Sequence, residues 1–141
     1  MQKVISEKTV TIQSQEDIKL SAFLFEKFAQ TYGIPTITID QVRLLLLELL
    51  ASIHNNQFSQ EEEDFVSLTF KLFEQGGLSL KVVNKGQAFN PFEQHIVGKN
   101  RFANDFKMDT LGWHLAHKYM DICTYHRAVG YNIIYMKKEQ V

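Results

Sequence analysis

The alternation of apolar and polar residues along the chain predicts five strands and three helices. Residues 3–12 are rich in β-branched side chains and are predicted to form the first strand. A helix over residues 15–32 follows, because apolar residues recur there at spacings of three and four: Ile18, Ala22, Phe25, Ala29 and Tyr32. Gly33 and Pro35 come next and are the residue types that usually end a helix.

The second predicted helix covers residues 40–56, with Asp40 as its N-terminal cap. It is apolar on nearly every side, so we expect it to be buried. One polar stripe runs along it at offsets of seven, four and three residues, formed by Gln41, Glu48, Ser52 and Asn55. A stripe of this kind is typical of a cleft wall or of a face turned to water, and the pattern leaves both open.

The remaining segments predict strands at 65–73 and 78–83 around a Gly-Gly turn, an irregular stretch at 88–109, a third helix at 111–121, and two strands around Gly130. The order is β-α-α-β-β-loop-α-β-β. Neighbouring strands without a crossover helix between them indicate antiparallel pairing. We therefore expect an α+β protein, a two-layer sandwich with helices on one face of a mixed, mostly antiparallel sheet.

Length and composition narrow the class of protein. The chain has 141 residues, 45% of them apolar, which fits a single domain over residues 1–141. A net charge of −1 predicts no general affinity for nucleic acid. The single cysteine, Cys123, excludes an internal disulfide and suits a reducing compartment. The N-terminus has no apolar signal region, and "LLLLELLASI" is too short to span a bilayer, so we expect a cytoplasmic protein without a membrane partner.

The stretch 88–109 is longer than most loops, so it is either a lid, a binding loop or a solvated surface loop. Its cations, Lys99, Arg101 and Lys107, would contact phosphate in the first two cases and water in the third.

Two other groups of residues also have alternative interpretations. His114 and His117 lie on adjacent turns of the third helix and would suit a shared metal, but no third ligand of suitable spacing is visible. Phe23, Phe25 and Phe28 are expected in the core, and any of them left exposed would mark a partner surface.

Three short motifs in order carry a resemblance to a known family. They are "ELLAS" at 48–52, "NKGQAFNP" at 84–91 and "TLGWHLAHKYMD" at 110–121. The chain resembles, over nearly its whole length, the anti-sigma-factor serine kinases of the histidine-kinase-like ATPase superfamily, whose motifs are Glu-x-x-x-Asn, Asp-x-Gly-x-x-Phe-x-Pro and Gly-x-Gly-Leu-x-Leu. This resemblance implies the Bergerat fold and a site for ATP or ADP with Mg²⁺.

The resemblance also implies the roles of single residues. Glu48 would be the catalytic general base or water-orienting group; the alternative is a solvated carboxylate at the helix edge. The nucleotide would contact the following residues: Ser52, Asn84, Gly86, Phe89, Thr110 and Gly112.

Three of these positions depart from the family motifs. Ser52 replaces the Asn that binds Mg²⁺ and would reach the metal only through water. Asn84 replaces the Asp that accepts a hydrogen bond from the adenine amino group. Thr110 replaces a phosphate-binding glycine, and Trp113 replaces a smaller residue and would fill space.

Three classes of function remain open. The first is a homodimeric anti-sigma-like regulator that binds a protein partner, either sigma-factor-like or an anti-sigma antagonist, through its first helix and N-terminal strand. The second is an ATP-dependent serine/threonine kinase that phosphorylates the antagonist. The third is an interaction protein that shares only the fold. The three departures favour the first class over the second, and the cleft-like stripe with the long loop disfavours the third.

Overall fold

The elements of the computed structural model follow the predicted order. It describes residues 3–57, 66–88, 90, 111–112 and 114–141. The elements are β1 (Val4–Ile12), α1 (Gln15–Thr31), α2 (Thr36–Gln57), β2 (Val66–Phe73), β3 (Leu78–Lys85), α3 (helical residues 111–112 and 114–119), β4 (Ile122–Ala128) and β5 (Tyr131–Lys138). No helix among the described residues is long and apolar enough to cross a membrane.

The five strands form one sheet in the order β1-β2-β3-β5-β4. All four described pairings are antiparallel, so the mixed component of the predicted sheet is not found among them. Two glycine turns make the hairpins possible. Gly76 has φ +98° between β2 and β3, and Gly130 has φ +83° between β4 and β5, conformations that side chains disfavour.

The helices pack on one face of this sheet, as predicted. That face carries the buried residues of β2, which alternate along the strand with half-buried ones and include Phe70. The Phe25 ring of α1 contacts the Phe70 ring edge-on, with centroids 5.5 Å apart, and Phe28 lies 4.9 Å from the same ring. Phe25 and Phe28 are therefore core residues. Phe23 is instead 51% exposed, and an exposed phenylalanine on this helix was expected to mark a surface that contacts a partner protein.

Helix α1 has a well-defined cap at each end. The Ser14 hydroxyl accepts a hydrogen bond from the Asp17 amide at 3.2 Å. At the other end, Gly33 has φ +73° and donates to the Gln30 carbonyl, while the Ile34 amide donates to Ala29. This pair of bonds is a Schellman motif, which stops the helix and turns the chain towards α2.

The predicted start of α2 at residue 40 is wrong, because the helix begins at Thr36. The Pro35 carbonyl accepts the first helical hydrogen bond, from the Ile39 amide at 3.0 Å. A proline lacks an amide proton, and the first helical turn does not need one there. Asp40 is thus inside the helix, where its carboxylate lies 3.6 Å from Arg43 instead of capping the end.

Candidate functional site

One end of the sheet carries a row of polar side chains on the helix-covered face. Strand pairing sets Asn84 of β3 opposite Asn132 of β5, and Asn132 opposite Arg127 of β4. On its other side, Asn84 is opposite Val66 of β2. Asn84, Asn132 and Arg127 are called the polar row below. Side chains of paired residues lie on the same face, so these three groups are neighbours across the sheet.

Asn84 is buried without hydrogen bonds. Its side chain is 2% exposed, and neither its amide oxygen nor its amide nitrogen has a partner in the described part of the chain. A buried polar group left in this state costs about 1–3 kcal/mol. Buried polar groups without a partner are rare in native proteins, so the Asn84 amide is a distinctive feature of this strand end.

Asn132, which lies directly opposite Asn84, has hydrogen bonds at both its amide oxygen and its amide nitrogen. It is 0% exposed, and its amide oxygen accepts hydrogen bonds from the Tyr125 hydroxyl and from Arg127 Nη1, the latter at 3.1 Å. Its amide nitrogen donates to the Gln87 carbonyl at 2.8 Å. These bonds fix the orientation of the Asn132 amide.

The turn after β3 is held against the β4–β5 hairpin. The Gly86 amide donates to the Gly130 carbonyl at 3.0 Å, and the Gly86 carbonyl accepts from Arg127 Nη1. Gly86 has φ +153°, which favours glycine at this position. The predicted site residues Asn84 and Gly86 therefore belong to one rigid strand end.

The polar stripe of α2 is covered in its middle. Ser52 is 4% exposed, and Glu48, one helical turn earlier, is half-buried. Gln41 is also half-buried, and only Asn55 of these four residues is exposed. The interpretation that the whole stripe faces water is therefore wrong at Ser52, and the central part of the stripe faces the protein interior.

Several predicted residues lie outside the described part of the chain. These are Phe89 and Thr110 of the nucleotide motifs, the Trp113 side chain, and the three cations Lys99, Arg101 and Lys107. Gly112 is described and buried, with open space where a Cβ would be. His114 and His117 are exposed, and no group of three or more His, Cys, Asp or Glu among the described residues would hold a metal ion.

The sequence interpretation did not assign Tyr125, Arg127 or Asn132 to the candidate site. The hairpin around Gly130 was predicted, and a two-residue turn there places Arg127 opposite Asn132 by simple counting. What could not be counted is the pairing of β5 with β3, because these strands are separated by about forty-five residues in the sequence. The sequence therefore predicts that Arg127 pairs with Asn132, but it does not predict that Asn132 pairs with Asn84.

A second feature is a groove on the outer side of the helix layer, between α1 and α2. Its volume is about 320 Å³, and its apolar lining is Ala22, Phe23, Leu44 and Leu47. Its charged lining is Lys19, Glu26, Asp40 and Arg43. This is the α1–α2 groove.

The charged side of the α1–α2 groove is held by ion pairs. Arg43 Nη1 lies 3.1 Å from a Glu26 carboxylate oxygen, and Arg43 Nη2 lies 3.6 Å from Asp40. The first of these pairs joins α2 to α1. Phe23 and Leu44 remain 51% and 42% exposed beside it. An apolar surface next to fixed charges is typical of a binding site for another protein.

Comparison with known proteins identifies the family. Residues 13–138 match the model of the histidine kinase-like ATPase domain, and the chain belongs to that family. This confirms the resemblance drawn from the three motifs. No curated protein gives a match.

The fold also occurs in a solved structure of low sequence identity. A chain in the crystal structure of the SiaB–SiaC complex from Pseudomonas aeruginosa is similar, with a TM-score of 0.62 and 9% identity. The similarity covers 97% of this chain and 91% of that one. At this identity the likeness supports the fold, so the two-layer arrangement of helices on a five-stranded antiparallel sheet is that of the family.

The residues fit the two ends of a Mg·ATP ligand unequally. The unpartnered amide of Asn84 fits the hydrogen-bonding edge of a base. Near the phosphates the resemblance places Ser52, whose short hydroxyl is a poor substitute for a direct Mg²⁺ ligand.

Proposed function

We propose that this chain is a regulatory protein of the partner-switching type, which binds a protein partner and has a weakened nucleotide site. In this proposal residues 1–141 act as one histidine-kinase-like ATPase domain in the cytoplasm. The partner is a sigma-factor-like protein or an anti-sigma antagonist, and the chain forms a homodimer. The observation that carries the proposal is the exposed apolar lining of the α1–α2 groove.

The groove suits a protein more than a small molecule. Phe23 and Leu44 are exposed, although twelve other apolar residues of α1 and α2 are buried with less than 10% exposure: Ile18, Ala22, Phe25, Phe28, Ala29, Ile39, Val42, Leu45, Leu46, Leu49, Leu50 and Ile53. Large aromatic side chains at a surface are the usual anchors of protein interfaces. The similar fold in a two-protein complex, SiaB–SiaC, is consistent with this use of the fold.

The weakened nucleotide site rests on the three departures from the family motifs. Ser52 is a short metal ligand, Asn84 lacks the charge that strengthens a hydrogen bond, and Thr110 stands where a glycine lets backbone approach phosphate. Asn84 is also left unpaired inside the protein. Each departure lowers affinity for Mg·ATP in its own way, so together they favour regulation by protein contact over catalysis.

Partner binding is tested with Phe23→Ser and a matched surface control, Val129→Ser. Val129 is 96% exposed on the β4–β5 turn, away from the α1–α2 groove. Affinity capture from the native host extract should recover a protein with the wild type and Val129→Ser, and lose it with Phe23→Ser. Equal recovery by all three proteins would refute the groove as the partner surface.

The nucleotide site is tested by titration calorimetry with Mg·ATP. The wild type should bind weakly or not at all. Asn84→Asp together with Ser52→Asn should increase affinity, because the carboxylate gives a charge-assisted bond and the amide reaches the metal. Thr110→Gly is the third change. Failure of the triple variant to bind would indicate a filled cavity, with Trp113 as the first candidate to fill it.

The second candidate function is a serine/threonine kinase acting on the antagonist protein. It is favoured by Glu48, which stays half-buried on α2 one turn before Ser52, where a general base would be placed. Tight binding of Mg·ATP by the wild type, followed by transfer of labelled phosphate to the captured partner and loss of transfer in Glu48→Gln, would make this function the leading one.

A further inference from the structure

Two neighbouring strands inside the sheet, β3 and β5, carry lysines and tyrosines on the face that the described helices leave open. Lys85 pairs with Tyr131, and Lys81 pairs with Tyr135. These four residues alternate with buried ones along their strands, so their side chains point away from the helices. The Lys–Tyr patch is formed by these two pairs and by the apolar pair between them: Lys81, Val83, Lys85, Tyr131, Ile133 and Tyr135.

Charge is distributed unevenly between this face and the rest of the chain. The chain has 16 aspartates and glutamates, yet Glu7 is the single acidic residue in the five described strands. Four lysines share the open face with it: Lys71, Lys81, Lys85 and Lys137. Lys137 lies 3.9 Å from the Glu139 carboxylate, whereas Lys81 and Lys85 are exposed and form no ion pair among the described residues. The open face is therefore positive although the net charge is −1, and it suits an anionic partner.

The two tyrosines add flat rings at regular spacing along this positive face. Tyr131 and Tyr135 are four residues apart on β5, which corresponds to about 13 Å. Tyr131 is 40% exposed, and Tyr135 is half-buried. Each tyrosine Cα lies about 5 Å from the Cα of its paired lysine on β3. A ring with a cation beside it is suited to stack on a nucleic-acid base while the cation contacts a phosphate.

The composition of the patch favours single-stranded nucleic acid over an acidic protein. Protein interfaces are enriched in tyrosine but depleted in lysine. Lysines beside aromatic rings on an open sheet are instead typical of surfaces that bind single strands, where bases stack and cations follow the backbone. Thr69 and Thr124 continue the row of Lys81 and Tyr135 to either side, and hydroxyl groups of this kind contact phosphate or sugar.

We propose that the Lys–Tyr patch binds single-stranded nucleic acid without base-specific contacts, with the phosphates along β3 and the bases on β5. This activity goes beyond the partner-switching function and uses the sheet face opposite the helix layer. The expectation of no general affinity for nucleic acid followed from the net charge of the whole chain, whereas the patch is a local surface. Because it offers few cations, binding is weak and falls steeply as salt is added.

The test uses a fluorescein-labelled oligothymidylate of about ten nucleotides, titrated with protein at several KCl concentrations and followed by fluorescence anisotropy. The first variant combines Lys81→Ala with Lys85→Ala. Its matched control combines Lys8→Ala with Lys118→Ala, which removes the same charge from exposed positions outside the open face. Tyr131→Ala tests stacking, and Tyr131→Phe is the conservative change that keeps the ring. Unlabelled oligothymidylate and a polyglutamate peptide serve as competitors.

We expect the wild type to bind with a Kd of about 1–100 µM. The slope of log Kd against log salt should fall by about 1.4 in the Lys81→Ala, Lys85→Ala variant, because each phosphate contact on a single strand contributes about 0.7. The control pair should keep the wild-type slope. Tyr131→Ala should weaken binding about fivefold or more without changing the slope, and Tyr131→Phe should stay within about twofold of wild type.

Four results would overturn the proposal. The first is no anisotropy change with the wild type, and the second is an equal effect of the two lysine pairs, which would indicate a general charge effect. The third is wild-type affinity in Tyr131→Ala. The fourth is displacement by polyglutamate as effective as displacement by oligothymidylate, which would identify an acidic protein as the partner of this face. Circular dichroism of each variant confirms that the fold is retained.

Discussion

Asn84 and Asn132 face each other on paired strands, yet within the described residues the Asn84 side chain has no hydrogen bond, whereas the Asn132 side chain has hydrogen bonds at both its amide oxygen and its amide nitrogen. Both are buried, at 2% and 0% exposure. Their chemistry is identical, so the difference lies in their neighbours. Asn132 holds the turn at Gly86 and Gln87 in place, which is a structural role. Asn84 makes no comparable hydrogen bond within the described residues, so the two buried amides of the polar row differ in what they contribute to the fold.

The first prediction is that Asn84→Leu stabilises the ligand-free protein. Leucine has a similar shape and removes two polar atoms that lack partners, so the free energy of unfolding should rise by about 1–3 kcal/mol. Urea unfolding followed by circular dichroism measures it. Asn132→Leu is the matched control and should destabilise, because it removes the partners of Tyr125, Arg127 and the Gln87 carbonyl. A loss of stability in Asn84→Leu equal to that of the control would contradict the prediction.

The second prediction concerns the clamp that Arg127 forms. Its Nη1 donates to the Gly86 carbonyl and to the Asn132 amide oxygen, and the side chain is exposed. Arg127→Ala should therefore cost only about 1 kcal/mol of global stability. Hydrogen exchange of the Gly86 amide should become faster, since the turn loses one of its attachments to the hairpin.

Lys81→Ala is the control for this clamp. Lys81 is exposed on the opposite face of β3, and its loss should leave the Gly86 exchange rate unchanged. Equal exchange rates at Gly86 in wild type and Arg127→Ala would show that the Gly130 carbonyl and the Asn132–Gln87 hydrogen bond hold the turn without Arg127.

The third prediction concerns Cys123, whose thiol pKa is raised by burial from 9.0 to about 11. The thiol should react slowly with a disulfide reagent at pH 8 in the native protein and faster in urea. Between pH 9 and about 11 the unfolded chain loses this proton while the native protein keeps it. The native state then binds more protons, so stability falls as pH rises through this window.

Cys123→Ser isolates that contribution from other groups that titrate at high pH. The decline in unfolding free energy between pH 9 and about 11 should be smaller in this variant than in wild type. Parallel declines in the two proteins would mean that the thiol is accessible to water in the native state.

The sequence predicted the elements that depend on local chemistry and missed what depends on contacts across the chain. Gly33 and Gly130 were recognised as turn residues, and both adopt positive φ. The start of α2 was misplaced because a capping rule for Asp40 was preferred to the weaker signal of Pro35. Burial of Ile39 at 4% exposure, three residues before Val42, shows that the apolar periodicity extended back past Asp40.

The candidate site was predicted in part for the same reason. Asn84 and Gly86 follow from one contiguous motif. Arg127 and Asn132 join them through the pairing of β5 with β3, which no local pattern specifies. Phe23 was grouped with Phe25, although residues two apart on a helix point to nearly opposite sides. Helical geometry therefore predicts that one of these two rings is exposed when the other is buried.

The last prediction uses that pair of phenylalanines. Phe25 is 0% exposed and packs on Phe70, so Phe25→Ala should cost about 3–5 kcal/mol of stability. Phe23 is 51% exposed in the α1–α2 groove, so Phe23→Ala in a monomeric protein should cost less than about 0.5 kcal/mol. Thermal unfolding at several protein concentrations measures both. A wild-type Tm that rises with concentration would mean that association stabilises the fold. If Phe23→Ala removes that dependence, the groove is the homodimer contact; if the dependence persists, dimerisation uses another surface and the groove stays free for a different protein.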